Sequence, residues 1–448
     1  MIRLPKRVHA RPAASAGTGV VRLVAFGYAG QIALGFALLS VPFAQAVPVA
    51  PLDGLFVAVS AVSTTGLVPV DPGTSFTGFG QLVILLLIQA GGLGFMTISS
   101  FVWTMLGQRG GTTLRERLAR SVFSLPGNVA PRIFVGRVVI YTLAVEALGA
   151  AALATLFARA GVANPIWSGV FHSVSAFCTA GFSLNADSFV GFNTDAPVLL
   201  VISILSLLGA IGFLVAGETW DRLRGRQRRL STSARVILSM TAATIGLGTV
   251  VLALSEPLIT AMPPGPRLLN AFFQAMTAAT TVGFNAIPTD GIAHLSVMVT
   301  YVLMLIGASP SGTGGGLKST AVATQWAFML AVLRGREEVT LFGVGVPPVK
   351  VRQAIATFFM AATVLIAAMF LLVATETLDF ERLLFEAISA IGTVGLSLGA
   401  TSELSDAGKV VIAAVMYVGR VGVLAFGVAL AMRQKRTHVI PRREDLAV

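Results

Sequence analysis

The sequence predicts an all-α polytopic membrane protein. Eight spanning helices and four re-entrant half-helices would form four tandem repeats about a pseudo-four-fold axis. Three observations predict this. Of 448 residues, 55% are hydrophobic and 12% charged, where a soluble domain carries about 25% charged residues, and the mean hydropathy is +0.83. The apolar residues lie in long runs such as 82–106, without the period-two alternation of a transmembrane barrel. A short glycine-centred word recurs as STTGLVP (63–69), CTAGFSLN (178–185), ATTVGFNAIP (279–288) and GTVGLSLG (392–399).

Apolar runs fall near 25–46, 79–106, 133–158, 196–217, 234–254, 296–333, 352–374 and 408–432. Each is long enough to cross a bilayer, which takes about 20 helical residues. Between the members of each pair lies a shorter segment, at 52–63, 166–178, 267–279 and 381–391, too short to span and ending at one of the words. The repeats are therefore 25–108, 133–218, 234–333 and 352–433. Cytoplasmic segments at 1–24, 109–132, 219–233, 334–351 and 434–448 separate and flank them. The word glycines Gly66, Gly181, Gly283 and Gly395 are 115, 102 and 112 residues apart, so each interval holds two spans and a half-helix.

The formal charge of +12 is spread between spans and so does not read as a nucleic-acid surface. Arg109, Arg115, Arg117, Arg120 and Arg132 crowd one loop. Arg222, Arg224, Arg226, Arg228, Arg229 and Arg235 crowd the next, and Arg334, Arg336, Lys350 and Arg352 the third. Asp53, Asp71, Asp187, Asp195, Asp290, Asp379, Glu403 and Asp406 lie around the short segments. The positive-inside rule puts both termini and the three basic loops in the cytoplasm and the words on the outer side. All four units then run in one direction, which suggests an axis along the membrane normal and a central path.

Irregular backbone at membrane depth is tolerated only inside protein or along a water-filled cavity. Four such segments meeting on an axis present rings of carbonyl oxygens that can replace the hydration shell of an alkali cation. Glycine accepts positive φ and leaves no side chain in the lumen. The pairs before each glycine are Thr64 and Thr65, Thr179 and Ala180, Thr281 and Val282, Thr393 and Val394. They are expected to pack outward and hold the segment extended. The half-helices aim their C-terminal dipoles at the same place, which favours a cation. Glycine also packs membrane helices closely, but four such words, each after a short segment on the same side, fit a filter better.

The four-fold plan resembles the Trk/Ktr/HKT superfamily of potassium transporters. TTVGFN and GTVGLS look like its filters, QAGGLGF (89–95) like its first inner-helix signature, and GASPSGTGGGLKSTA (307–321) and YVGRVG (417–422) like two further motifs. The likeness covers nearly everything after residue 25, and eight spans are most similar to the Ktr branch. It implies pore helices around a central pore, potassium uptake across the plasma membrane promoted by sodium, a homodimer with one pore per chain, and a cytosolic KtrA-like ring that binds nucleotide. It makes Thr64, Thr65, Gly66, Thr179, Ala180, Gly181, Thr281, Val282, Gly283, Thr393, Val394 and Gly395 the potassium filter. In the plant branch a serine at the first position accompanies sodium transport, so Gly66 favours potassium. Leu67 and Leu396 stand where Phe182 and Phe284 follow the other glycines, and Ala180 precedes the second, so the ring is chemically uneven.

The run 296–333 is too long for one span and too rich in Gly, Ser, Thr and Pro for a continuous helix. The resemblance marks its middle as a gating loop, with Ser309, Ser311, Gly312, Thr313, Gly314, Gly315, Gly316 and Lys318. Arg420, alone in the last apolar span, joins it as an intramembrane charge that needs a partner or water. Glu146 and Glu386, within or beside apolar segments, are expected to be packing or helix-end partners. GTGGGLKST (312–320) is not a phosphate loop, because Leu317 stands where the second glycine is required.

The single Cys178 excludes a disulfide framework within the chain. His9, His172, His294 and His438 show no metal-ligand spacing and are expected to be ordinary helix-end or loop residues. No cluster of carboxylates or histidines supports a membrane enzyme, and no organic cofactor is expected. An inverted-repeat carrier is opposed by the arginine distribution. A sodium-coupled or sodium-permeable secondary cation transporter is the alternative to a potassium path.

Overall fold

The structure is a computed structural model and describes residues 14–94, 131–226 and 229–423. All but the last two residues of the expected cytoplasmic loop 109–132, most of the N-terminal segment, the inner end of the run 79–106 and the tail beyond 423 lie outside the described residues. The described chain is mostly helical. Its longer helices are α1 (Ala14–Leu39), α2 (Pro51–Ser63), α3 (Gly78–Gly92), α4 (Pro131–Arg159), α5 (Pro165–Phe177), α6 (Ala196–Ile211), α7 (Phe213–Leu223), α8 (Thr232–Ser255), α9 (Pro264–Thr280), α10 (His294–Leu305), α11 (Ser319–Leu333), α12 (Pro348–Thr375), α13 (Phe380–Gly392) and α14 (Asp406–Val421).

Among the described residues, Gly136–Arg159, Thr232–Ser255 and Pro348–Thr375 are each long and apolar enough to cross a membrane. Their outer surfaces suit lipid, since Leu148, Leu254 and Phe370 are 71–76% exposed. A water-facing helix would place polar residues there.

The short helices α2, α5, α9 and α13 occupy the interior. Three of them start on a proline at N1, where the missing N–H costs nothing. Each packs against the helix that closes the preceding unit: α5 on α3, α9 on α6 and α13 on α10, while α2 packs on α14. The order is cyclic, and the first unit closes on the last. Lys409 Nζ donates to Asp53 Oδ1 at 2.6 Å across that seam, with both side chains about 13–14% exposed.

One expectation needs correction and another holds. The run 196–217 is not one straight span. It breaks at Gly212, and α6 and α7 meet at 103°, with Gly212 at φ +83. The run 296–333 does break, and its ends stay together: Ile306–Gly307 (β1) pairs in parallel with Leu317–Lys318 (β2), pinching 308–316 into a loop. A second small hairpin, Thr340–Leu341 (β3) with Val344–Gly345 (β4), follows α11.

Candidate cation site

Each interior helix ends in the same cap. Thr64, Thr179, Thr281 and Thr393 follow the helices at φ +51, +50, +58 and +47. Their N–H groups donate to Ala61, Ala176, Ala278 and Ala390. The next N–H in each case reaches back to the carbonyl of Ser60, Ser175, Thr277 or Ser389, at 2.8–3.0 Å. This is the Schellman pattern, whose left-handed residue is ordinarily glycine. These threonines were expected to be extended and are left-handed instead. A β-branched residue there is strained by about 1–3 kcal/mol, and such strain gathers at functional positions.

Beyond the caps the four glycines stand in a closed ring. A Cβ on Gly66 would meet the Ala180 oxygen, on Gly181 the Val282 oxygen, on Gly283 the Val394 oxygen, and on Gly395 the Thr65 oxygen. All four glycines have positive φ, between +67 and +99. A larger residue in the ring is therefore strained, for two independent reasons. Hydroxyl and carbonyl oxygens supply its chemistry. Among the described residues, no group of three His, Cys, Asp or Glu side chains could hold a metal. Thr64 Oγ1 and Thr393 Oγ1 are buried without a hydrogen-bond partner. Orphaned oxygens beside crowded carbonyls suit a dehydrated monovalent cation, whereas a divalent ion would require carboxylates.

The pinched loop lies directly beneath the caps. The Gly315 N–H donates to Thr281 Oγ1 at 2.9 Å, and Thr313 Oγ1 donates to the Phe177 carbonyl at 3.0 Å. Gly315 abuts Thr393 and Gly392, and Gly314 abuts Thr280 and Thr281. The bend at Gly212 explains how the loop is held. Opening the helix frees carbonyls of α6, and Thr313 N and Ser309 N take those of Gly209 (3.0 Å) and Ala210 (3.2 Å). The Ser309 and Ser311 hydroxyls lie 3.0 Å apart. Gly312 fits against Ala210, and Gly316 turns the chain at φ +69. Lys318 Nζ donates back to the Gly314 carbonyl at 2.6 Å.

Arg420 crosses under this loop. Its Nη1 donates to the Thr313 carbonyl at 2.8 Å and its Nη2 to the Gly91 carbonyl. It therefore bonds to the third and first units from a helix of the fourth. Glu146 sits farther out, accepting from Gln89 Nε2 at 3.1 Å beside Cys178. Glu386 lies away from the loop, on the far side of the glycine ring.

Sequence reasoning missed three features. Hydroxyls stand six residues before each glycine, at Ser60, Ser175, Thr277 and Ser389, and those of the three serines bear on the ring itself. Ser60 and Ser389 accept the Gly66 and Gly395 N–H groups at 3.0 Å, and Ser175 donates to the Phe182 carbonyl at 2.7 Å. Ten residues before each glycine stand Phe56, Phe171, Phe273 and Phe385, all fully buried. In a bilayer protein such side chains contribute close packing more than water exclusion. Writing the four segments over one another on their glycines would have found both sets. His172 is not an end or loop residue: it is fully buried within α5.

The chain is similar to known proteins over most of its length. The TrkH family model, described as cation transport protein, matches residues 20–438. The chain is 34% identical to "Ktr system potassium uptake protein B" of Vibrio alginolyticus, over 92% of this chain and 91% of that one. It is equally identical to the protein of the same name from Bacillus subtilis, over 94% and 95%. It is 32% identical to "Potassium/sodium uptake protein NtpJ" of Enterococcus hirae, over 93% and 94%. The crystal structure of the potassium transporter TrkH from Vibrio parahaemolyticus superposes with a TM-score of 0.72 at 19% identity, covering 95% of this chain and 86% of that one. A family match over nearly the whole length joins the fold and the closed ring in one conclusion: the chain is a multi-pass membrane protein and belongs to the TrkH family of cation transport proteins.

Proposed function

We propose that this protein carries potassium across the plasma membrane through the glycine ring. The observation that carries the reading is the closed contact of Gly66, Gly181, Gly283 and Gly395, each against the next segment's carbonyl. Four backbone segments so placed offer a cation a shell of oxygens in exchange for its water. The partial negative ends of α2, α5, α9 and α13 converge there and favour positive charge.

On this reading the chain is four helix–pore helix–helix repeats with eight spans and both termini cytoplasmic. The filter is Thr64 to Gly66, Thr179 to Gly181, Thr281 to Gly283 and Thr393 to Gly395. The loop from Ser309 to Gly316, with Lys318 and Arg420, is the gate, because a loop hydrogen-bonded beneath the caps obstructs the path to the cytoplasm. Two of the relatives are named as parts of a Ktr system, which supports a partner regulatory subunit. That this subunit is a cytosolic KtrA-like ring that binds nucleotide, and that the membrane subunit is a homodimer, is carried by the family resemblance. A second reading, permeation or coupling of sodium, is favoured by the relative named for both ions and by the uneven ring.

Isotopic uptake by potassium-uptake-deficient cells, with and without a KtrA-like subunit, tests both readings. Potassium uptake that rises with the cytosolic partner is expected. Absence of potassium uptake in both conditions, with the protein present in the membrane, would overturn the first reading. Sodium uptake in its place would establish the second.

A further inference from the structure

Alignment on the four glycines brings another set of side chains into register. Nine residues before the glycine stand Val57, His172, Gln274 and Glu386. Three of the four reach polar groups just beyond the ring. His172 Nδ1 lies 2.8 Å from the Ser168 carbonyl, which can only accept, so the proton is on Nδ1 and Nε2 is the acceptor. That Nε2 accepts from the Leu184 N–H at 3.3 Å and the Ser183 hydroxyl at 3.0 Å. Gln274 Oε1 accepts the Ala286 N–H at 3.3 Å. Glu386, fully buried, accepts from the Ser397 hydroxyl, and from Thr401 Oγ1 at 3.0 Å. The partners begin two or three residues past each glycine.

The first unit differs in a way the chemistry accounts for. Three residues past Gly66 is Pro69, which has no N–H to satisfy, and its half-helix carries the buried apolar Val57. A polar side chain is present where the segment beyond the glycine offers a donor, and absent where proline removes the backbone one.

We propose that His172, Gln274 and Glu386 are positioning residues that set the width of the outer mouth of the ring, and through it the discrimination between potassium and smaller cations. This rests on the potassium reading above. Each is a strut of similar reach from a rigid helix to the segment leaving the ring. A mouth held open cannot close around a smaller ion, whereas a mouth freed of its strut can. Removing the acceptor leaves a buried donor unsatisfied, and the segment moves to recover a partner.

The test is potassium uptake with sodium as competitor, at matched amounts of membrane protein, for Glu386→Leu, Gln274→Leu and Glu386→Gln. The two leucine variants should raise the half-saturating potassium concentration about tenfold, the equivalent of one lost hydrogen bond to a buried group. They should become sensitive to sodium while the maximal rate stays near that of the parent. Glu386→Gln keeps an acceptor and should restore both properties. Leucine variants with parental half-saturation and parental rejection of sodium overturn the proposal. So does a fall in maximal rate alone, which would assign these bonds to folding. If Glu386→Leu does not reach the membrane, Ser397→Ala removes the same bond from its other end and carries the same expectation. A parent that takes up no potassium in this assay overturns the transport reading and the proposal together. A competent parent with unchanged variants overturns the proposal alone.

Discussion

The Thr179 hydroxyl lies 3.2 Å from the hydroxyl of Thr313, joining the cap of the second half-helix to the loop from the third unit. Arg420 holds the same loop residue by its carbonyl, so Thr313 is held from above and from below. Buried backbone groups without partners are costly, so these bonds favour the loop's place beneath the caps.

Shortening 309–316 is therefore expected to raise potassium flux and weaken its dependence on the cytosolic partner. Arg420→Ala should act in the same direction and by less, since the α6 carbonyls still hold Ser309 and Thr313. Uptake rates with and without the partner check this. Flux that falls in both folded variants would make the loop a support and not a barrier.

Gly283→Ser should reduce the preference for potassium over sodium by about tenfold, on the scale of a single disturbed coordination shell. Its Cβ would collide with the Val394 oxygen and lie 2.9 Å from Gly395 Cα, at a φ of +83 that serine avoids. Gly181→Ser should act likewise through Val282. The ratio of the two ions taken up, at equal expression, is the measurement. Unchanged ratios in both variants would remove these glycines from the path.

The arginine-rich loops are expected on the cytoplasmic side. Cys178 is the single cysteine and is buried, so a cysteine introduced by Arg226→Cys gives a clean signal. An impermeant thiol reagent should label it in broken cells and not in intact ones. Rapid labelling of intact cells would invert the topology.

The Asp53–Lys409 pair should stabilise the seam. Asp53→Asn alone leaves a partly shielded ammonium without its partner, a loss of about 1–3 kcal/mol, between the values for exposed and fully buried pairs. Combining it with Lys409→Met should recover much of the lost thermal stability in detergent. A double variant no more stable than Asp53→Asn would show that the pair is not coupled.

The half-helices were legible in the sequence because short apolar segments cannot span, and the glycine words marked where each ends. The loop at 308–316 was legible because Gly, Ser and Thr at that density cannot sustain a helix. The bend at Gly212 was not, since LLGAIGFLV reads as one apolar run and only the loop's demand for carbonyl partners explains the break. The left-handed threonines were hidden by propensity: a β-branched residue reads as extended, and tertiary packing overrode it four times. Asn164, Gly66 and Thr64 all have positive φ, yet only glycine announces that from sequence.

The closed ring is made by one continuous chain, and that sets how it can vary. A channel assembled from four identical subunits receives every substitution in quadruplicate. Here a change at Gly283 or Glu386 enters once, leaving three quadrants as they were. Selectivity can then drift in small steps, one quadrant at a time, and the unequal residues beside the four glycines are the form such drift would take.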